Sequence, residues 1–413
     1  MTAAPTTSVA EELDEFRRAA RAALSRAPRP RVVGDAAAAD LATWDEAARE
    51  ALCSLGAFGL LVDDAHGGSA AGFGPMVVAL EEAGRAGVGR WFSTSAVVVA
   101  RLLTGEPGAA TGRLLADLAA GTRLATVAVI GPSGRYDLAG VAVTATAGGG
   151  GAGGAGGAGG AGSGDGVVLS GTADFVPALA DADCVVVAAR LDGGTCGSRG
   201  TGGTGAASGG TPGTAGGGGV GLFVVDRTDD GVAFGPADRS GLNGLGSLRL
   251  DGVRVPADRV LTGGLDDDRL ADLVAGGAVA VSAEMVGSAA RVLELTVAYA
   301  GARQQFGSPI GAFGTVQHHC VQMRTDVQAA QAVVRRAAAA LDAGDPDAGR
   351  LASVAKAWTA RATRRVVGRA HRVHGAIGFS AEHELPRHTA GQRDSWALWG
   401  DPRFHARRVA SGL

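Results

Sequence analysis

Apolar positions along the chain change period twice, which divides it into three parts. From residue 9 to about 123 they recur every three or four residues. Val9–Ser25 and Ala42–Leu55 read as amphipathic helices, with acids early and arginines later. Gly67-Gly68, Gly72 and Gly74 punctuate this part as turns. Between Leu124 and Leu261 the pattern shortens to runs rich in Val and Ala. Ala125–Ile130, Val167–Ser170, Cys184–Ala189, Leu222–Asp226 and Ser247–Val255 read as strands. Beyond Asp266 the helical period returns over Leu270–Ala302, Val316–Asp342 and Ala348–His374. Helices, then strands, then longer helices do not alternate as a parallel α/β fold requires. The expected architecture is α+β in three domains: all-α over 1–123, a β-barrel or sandwich over 124–262, and a helical bundle over 263–413.

Composition changes this picture only in places. Residues 148–164 are almost pure Gly and Ala, and 193–219 are rich in Gly, Thr, Ala and Ser. Such tracts bury too little apolar area to offset their ordering entropy and read as flexible loops. Their GxGxxG matches are compositional, because neither sits between a strand and an adjacent helix with an acid downstream. Lysine occurs once, at Lys356, while arginine is abundant and glycine reaches 69. This bias reflects base composition of the genome, so arginines are not counted as phosphate ligands. The net charge of -3, from 38 basic and 41 acidic residues, indicates no nucleic-acid partner. Cys53, Cys184, Cys196 and Cys320 form no CxxC pair and read as reduced thiols. With no basic start before an apolar stretch and no run approaching a membrane span, a cytoplasmic protein is expected.

One long string carries chemistry: Arg303-Gln304-Gln305-Phe306-Gly307-Ser308-Pro309-Ile310-Gly311-Ala312-Phe313, followed by Val316-Gln317-His318. It resembles the RxQFGxPIGxFQxVQH signature of the acyl-CoA dehydrogenases. Gly67-Gly68 with Glu81-Glu82-Ala83-Gly84-Arg85, Leu250-Asp251-Gly252-Val253, and His374-Gly375-Ala376-Ile377-Gly378-Phe379 are similar to further family segments in the right order. The resemblance implies a C-terminal four-helix bundle, FAD as cofactor and an acyl-CoA thioester as substrate. It also implies electron-transfer flavoprotein or another acceptor as electron partner. In this family a carboxylate removes the α-proton while a hydride leaves the β-carbon for the flavin, in a site that polarises the thioester carbonyl and excludes water.

Carried over residue by residue, Arg303 matches the arginine that contacts the FAD diphosphate, usually across a subunit interface; otherwise it is a surface arginine at a helix end. Phe306 would pack against the same cofactor, and Gln317 would hydrogen-bond cofactor or backbone. Arg372 stands where the diphosphate-binding segment carries glutamine, Gly375 is retained, and Ala376 replaces the next glycine. Gly314 replaces a family glutamine. Phe175-Val176-Pro177-Ala178 stands where an aromatic-Ile-Thr segment usually flanks the flavin, so a hydroxyl donor is lost. The family glutamate base falls at Trp399 when counted from Phe379, or at Pro402 when counted from Arg393-Asp394. A second family position for it falls at Gly277. None of the three is a carboxylate.

Two acids remain. Asp401, beside Trp399, is either the base or a turn or cap aspartate. Glu284 lies mid-helix, and an ion pair with Arg291 on the same face is its bland reading. His371 and His374 share a helix face and His318-His319 are adjacent, but no three-ligand metal set is evident. The expected function is an FAD-dependent acyl-CoA dehydrogenase with Asp401 as base, assembled as a dimer or tetramer; the alternatives are a non-catalytic partner subunit in a heteromer and a tailoring flavoenzyme on the same fold.

Overall fold

The computed structural model describes residues 8–27, 38–148, 166–192, 219–235 and 245–412. The two glycine tracts therefore lie, apart from Gly148, Gly166 and Gly219, outside the described residues. Helix α1 (Val9–Arg26) opens with a capping box, in which Ser8 and Glu11 each satisfy the other's backbone amide. Its Arg17 and Arg21 bind Glu81 and Glu82 on α3 (Phe73–Ala86), and α1 also contacts α2 (Ala38–Ser54). The apolar run Trp91–Leu103 forms one buried helical passage: α4 (Trp91–Ser93), a π-turn (Thr94–Val99) and α5 (Ala100–Leu103). Helix α6 (Ala109–Ala119) closes the N-terminal part.

Seven strands build one mixed sheet: β1 (Ala125–Ala128), β2 (Thr144–Ala147), β3 (Val167–Pro177), β4 (Cys184–Leu191), β5 (Val220–Asp226), β6 (Val232–Phe234) and β7 (Leu245–Val255). Their order is β1-β4-β2-β3-β7-β6, with β5 antiparallel on β4. Cys184, Val186 and Ala188 face the helices while Val185, Val187 and Ala189 face the sheet's own core. Burial on both faces is why this strand reads as an unbroken apolar run. Strands β2 and β6 were not expected: Thr144–Ala147 and Val232–Phe234 are short and largely without large aliphatic side chains. Strand β3 runs seven residues past the expected end because bulges at Leu169/Gly171 and Ala173/Val176 let it bend without leaving the ladder.

The C-terminal part is a bundle of α7 (Asp267–Ala302), α8 (Gly314–Asp342), α9 (Ala348–His374) and α10 (Leu385–Ala397), with α11 (Pro402–Ala410) packed on α9. The sequence pattern suggested no run resembling a membrane span, yet α7 is long and apolar enough to cross one. It is a core helix, with 89% of its most apolar window buried inside the protein. Gly84 and Gly287 make the α3–α7 crossing possible, because a Cβ on either would overlap the other helix's backbone.

Candidate active site

Two of the three positions at which the family base was expected, Trp399 and Gly277, lie against each other, and the third, Pro402, opens α11. Trp399, in the turn between α10 and α11, lays its indole over Gly277 of α7; a Cβ there would stand 2.5 Å from the ring's Cδ2. Trp399 is 3% exposed and packs in the cluster containing Leu273, Val274 and Ala278. Tyr136, from the loop after β1, closes the other side, with ring centroids 6.3 Å from Trp399 and 5.5 Å from Phe404. Burial pushes the Tyr136 hydroxyl up to about 12, against hydrogen bonds with the Gly400 and Trp399 backbone. Nothing in the period of the glycine-rich loop 131–140 marked Tyr136 as part of this group.

The turn that presents Trp399 is held from several sides. Trp399 has φ 59 and Gly400 φ 100, and the Gly400 amide donates to Ala397 O at 3.1 Å. His405 Nε2 donates to Trp399 O at 2.7 Å, leaving Nδ1 to accept from the Ser353 hydroxyl at 3.1 Å. Burial, with Lys356 nearby, drives the His405 imidazole down to about 3, so it is neutral. Lys356 is fully buried and donates to the carbonyls of Ser395 and Trp396, both at 2.9 Å. Burial and then the charge of Arg90 lower its ammonium to about 7. The sequence marked Lys356 only as the sole lysine.

Asp401 occupies the N-cap of α11, where Oδ1 accepts from the amides of Arg403 at 2.9 Å and Phe404 at 2.7 Å. Glu284 is 5% exposed and ion-paired, but with Arg90 rather than Arg291. Arg291 reaches Glu384 at 3.0 Å instead. Arg291 shares a face of α7 with Glu284, but the buried side of α7 at Glu284 meets Arg90, in the turn that precedes α4.

At the flavin-flanking segment, Phe175 has φ 56 and Ala178 φ 51, and the Phe175 ring is half exposed. The buried Thr126 hydroxyl donates to Pro177 O of this segment at 2.5 Å.

The arginine motif forms a short hairpin, β8 (Gln304–Gln305) and β9 (Ser308–Pro309), that projects beyond the end of α7. Phe306 sits at its tip, 93% exposed with φ 52, and meets Phe313 edge-on at 6.1 Å. Arg303 is exposed, with no carboxylate in ion-pair range among the described residues. Gln317 donates to Gly311 O at 3.1 Å, so it braces the hairpin's exit. Tyr299, one turn before Arg303, stacks on His374 at 4.7 Å. That stack sets Gly375 (φ 65, open space around its missing Cβ) and Arg372 at the same end of the bundle as the hairpin. Of five non-glycine residues with positive φ among those described, four are Phe175, Ala178, Phe306 and Trp399, so backbone strain gathers at these positions.

These residues form two groups, not one. Gly277 lies about a third of the way along the 36-residue helix α7 and Arg303 caps its C-terminal end, and at 1.5 Å per residue they are about 39 Å apart. Within one chain the hairpin and the Trp399–Gly277 contact cannot surround the same small molecule. Among the described residues no cluster of three or more His, Cys, Asp or Glu has metal-binding geometry.

Comparison with known proteins gives the chain its context. Residues 10–122 match the family profile "Acyl-CoA dehydrogenase, N-terminal domain", and residues 271–396 match "Acyl-CoA dehydrogenase, C-terminal domain". A 3-(aryl)acrylate reductase of Clostridium sporogenes is 27% identical over 344 residues, 80% of each chain. Butyryl-CoA dehydrogenase of Megasphaera elsdenii superposes with a TM-score of 0.78 at 21% identity, over 98% of this chain and 99% of that one. A chain of the ChsE4–ChsE5 complex of Mycobacterium tuberculosis superposes with a TM-score of 0.76 at 24% identity, over 99% and 98%.

Proposed function

The chain belongs to the acyl-CoA dehydrogenase family of flavoprotein oxidoreductases, and on that premise we propose that it is one subunit of a heteromeric acyl-CoA dehydrogenase, lending its cofactor-binding arm to a partner chain that carries the base. The observation that carries this reading is the indole of Trp399 packed on Gly277, which occupies two of the three counted positions for the glutamate, while Pro402 occupies the third. Asp401 is then a helix cap, its Oδ1 occupied by two amides. Assembly of the ChsE4–ChsE5 kind, named as a complex of two chains, is the precedent for such a division.

The chain's own residues fit one end of FAD and not the other. At the diphosphate end stand the exposed guanidinium of Arg303, Arg372, and the open backbone at Gly375, all suited to an anion. At the flavin end the donor hydroxyl is missing, Thr126 is engaged, and Trp399, Tyr136 and Phe404 fill the adjoining space. When bound, FAD supplies the two-electron redox chemistry. In this reading Arg303 and Phe306 orient and shield the cofactor from across the interface, and the partner chain holds the acyl-CoA and takes its α-proton. Arg303 and Gly277 are about 39 Å apart on one helix, so two chains are needed to complete any one site.

The test is to purify the chain alone and then co-expressed with a sibling chain of the same fold, and to add acyl-CoAs anaerobically. The expected result is no acyl-CoA-dependent bleaching alone, and bleaching in the co-purified assembly. Arg303→Ala should lower the flavin content of that assembly several-fold, as expected for removal of a charged hydrogen-bond donor. Bleaching by the chain alone, abolished by Asp401→Asn with flavin retained, would restore the reading in which Asp401 is the base of a self-sufficient dehydrogenase.

A further inference from the structure

One exposed face of the bundle is far more basic than the chain as a whole. A groove of about 650 Å³ runs along α9 to the start of α11, lined by Arg361, Arg364, Arg365, Arg369, Arg372 and Arg403. Asp326 is shared by Arg365, at 2.5 Å, and Arg369, at 2.8 Å. Among the described residues no carboxylate lies in ion-pair range of Arg361, Arg364, Arg372 or Arg403, while the whole chain carries a net charge of -3. Arg361, Arg365 and Arg372 recur at helical spacing and make a stripe about 16 Å long. Its Arg372 end adjoins the Gly375 turn, and Tyr299 ties that turn to the hairpin. The stripe is therefore continuous with the arm assigned to a subunit boundary.

A two-fold axis through this stripe would set it against its own copy, so each unpaired guanidinium would approach others of like sign. A cofactor diphosphate would neutralise the Arg372 end and leave Arg361, Arg364 and Arg403 unpaired. We propose that this stripe is the charge code of the heteromer: it excludes self-pairing and selects a same-fold chain that presents carboxylates along the facing helix. The proposal rests on the reading of this protein as one subunit of a heteromer, and it names the chemistry of the partner's surface.

The chain itself can serve as the acidic surrogate. The variant Arg361→Glu/Arg364→Glu/Arg403→Glu leaves Arg372 and the hairpin intact and takes the groove, counted as its six arginines with Asp326, from +5 to -1. Analytical ultracentrifugation at about 50 mM salt is expected to find wild type alone and variant alone predominantly monomeric, and an equimolar mixture forming a one-to-one dimer. That dimer should weaken at least about tenfold when salt is raised to about 300 mM, where the screening length falls well below 10 Å. In case the Glu variant folds poorly, Arg361→Gln/Arg364→Gln/Arg403→Gln tests the repulsion alone, and it should self-associate more tightly than wild type.

A mixture that stays monomeric, or a wild-type dimer whose affinity neither set of substitutions changes, overturns the proposal. So does the outcome in which ADP quenches tryptophan fluorescence in wild type but not in the variant while the mixture fails to assemble, because the groove would then be a nucleotide site. Flavin bleaching is read separately: bleaching by wild type alone would remove the subunit reading, whereas charge-swap failure with a catalytically active co-purified assembly would remove only this surface.

Discussion

Replacing Trp399 by glycine measures how completely the indole fills the space where relatives carry a base. The side chain is 3% exposed and packs against Gly277, Tyr136 and Phe404. Truncating a buried tryptophan costs about 3–5 kcal/mol through lost transfer energy and the cavity left behind. Part of this returns, because Trp399 sits at φ 59, a conformation that costs a non-glycine residue about 1–2 kcal/mol and glycine almost nothing. The net loss should be about 2–3 kcal/mol, read as a lower midpoint in urea unfolding followed by far-ultraviolet circular dichroism. Added indole should bind the cavity and recover part of the loss. Gly277→Ala closes the argument: its methyl would press on the ring from 2.5 Å and cost wild type about 1–3 kcal/mol, yet cost little once Trp399 is glycine. A Trp399→Gly loss below about 1 kcal/mol, with no response to indole and no coupling to Gly277, would refute the packing on which the proposed function depends.

Two further outcomes follow from the same turn. Asp401→Ala should lower stability by about 1 kcal/mol and Asp401→Asn by almost nothing, since asparagine caps a helix as well as aspartate does; equal losses in urea titrations would contradict the capping role. Lys356 titrates near 7 in the fold against 10.5 in its ordinary state. Between those values the unfolded chain holds a proton that the folded chain has released, so stability should rise as pH climbs from about 7 toward 10. Lys356→Met should flatten that rise, and an unchanged slope in paired titrations would show that the ammonium is not desolvated.

The order of helices, strands and longer helices was legible in the period of apolar residues, because burial on one face imposes 3.6 or 2.0 wherever an element is half covered. That signal fails for β2 and β6, which bury little, while it placed α7 within three residues of its start although neighbours cover nearly all of its most apolar stretch. The arginine motif was equally legible, since a hairpin's turn chemistry and its chemistry-bearing residues are contiguous in sequence. Counting along the chain also located Trp399 and Gly277 as separate vacancies. Their contact, 122 positions apart, is decided by how the α10–α11 turn docks on α7, and no local pattern encodes it. The same is true of Glu284, whose partner Arg90 comes from the turn before α4, and of Arg361 and Arg403, which share a groove only after α11 has packed on α9. Local periodicity determines which residues face inward; which inward-facing residues meet is settled by the packing of whole elements. That packing set the ring of Trp399 on Gly277 and Arg303 about 39 Å away at the far end of the helix.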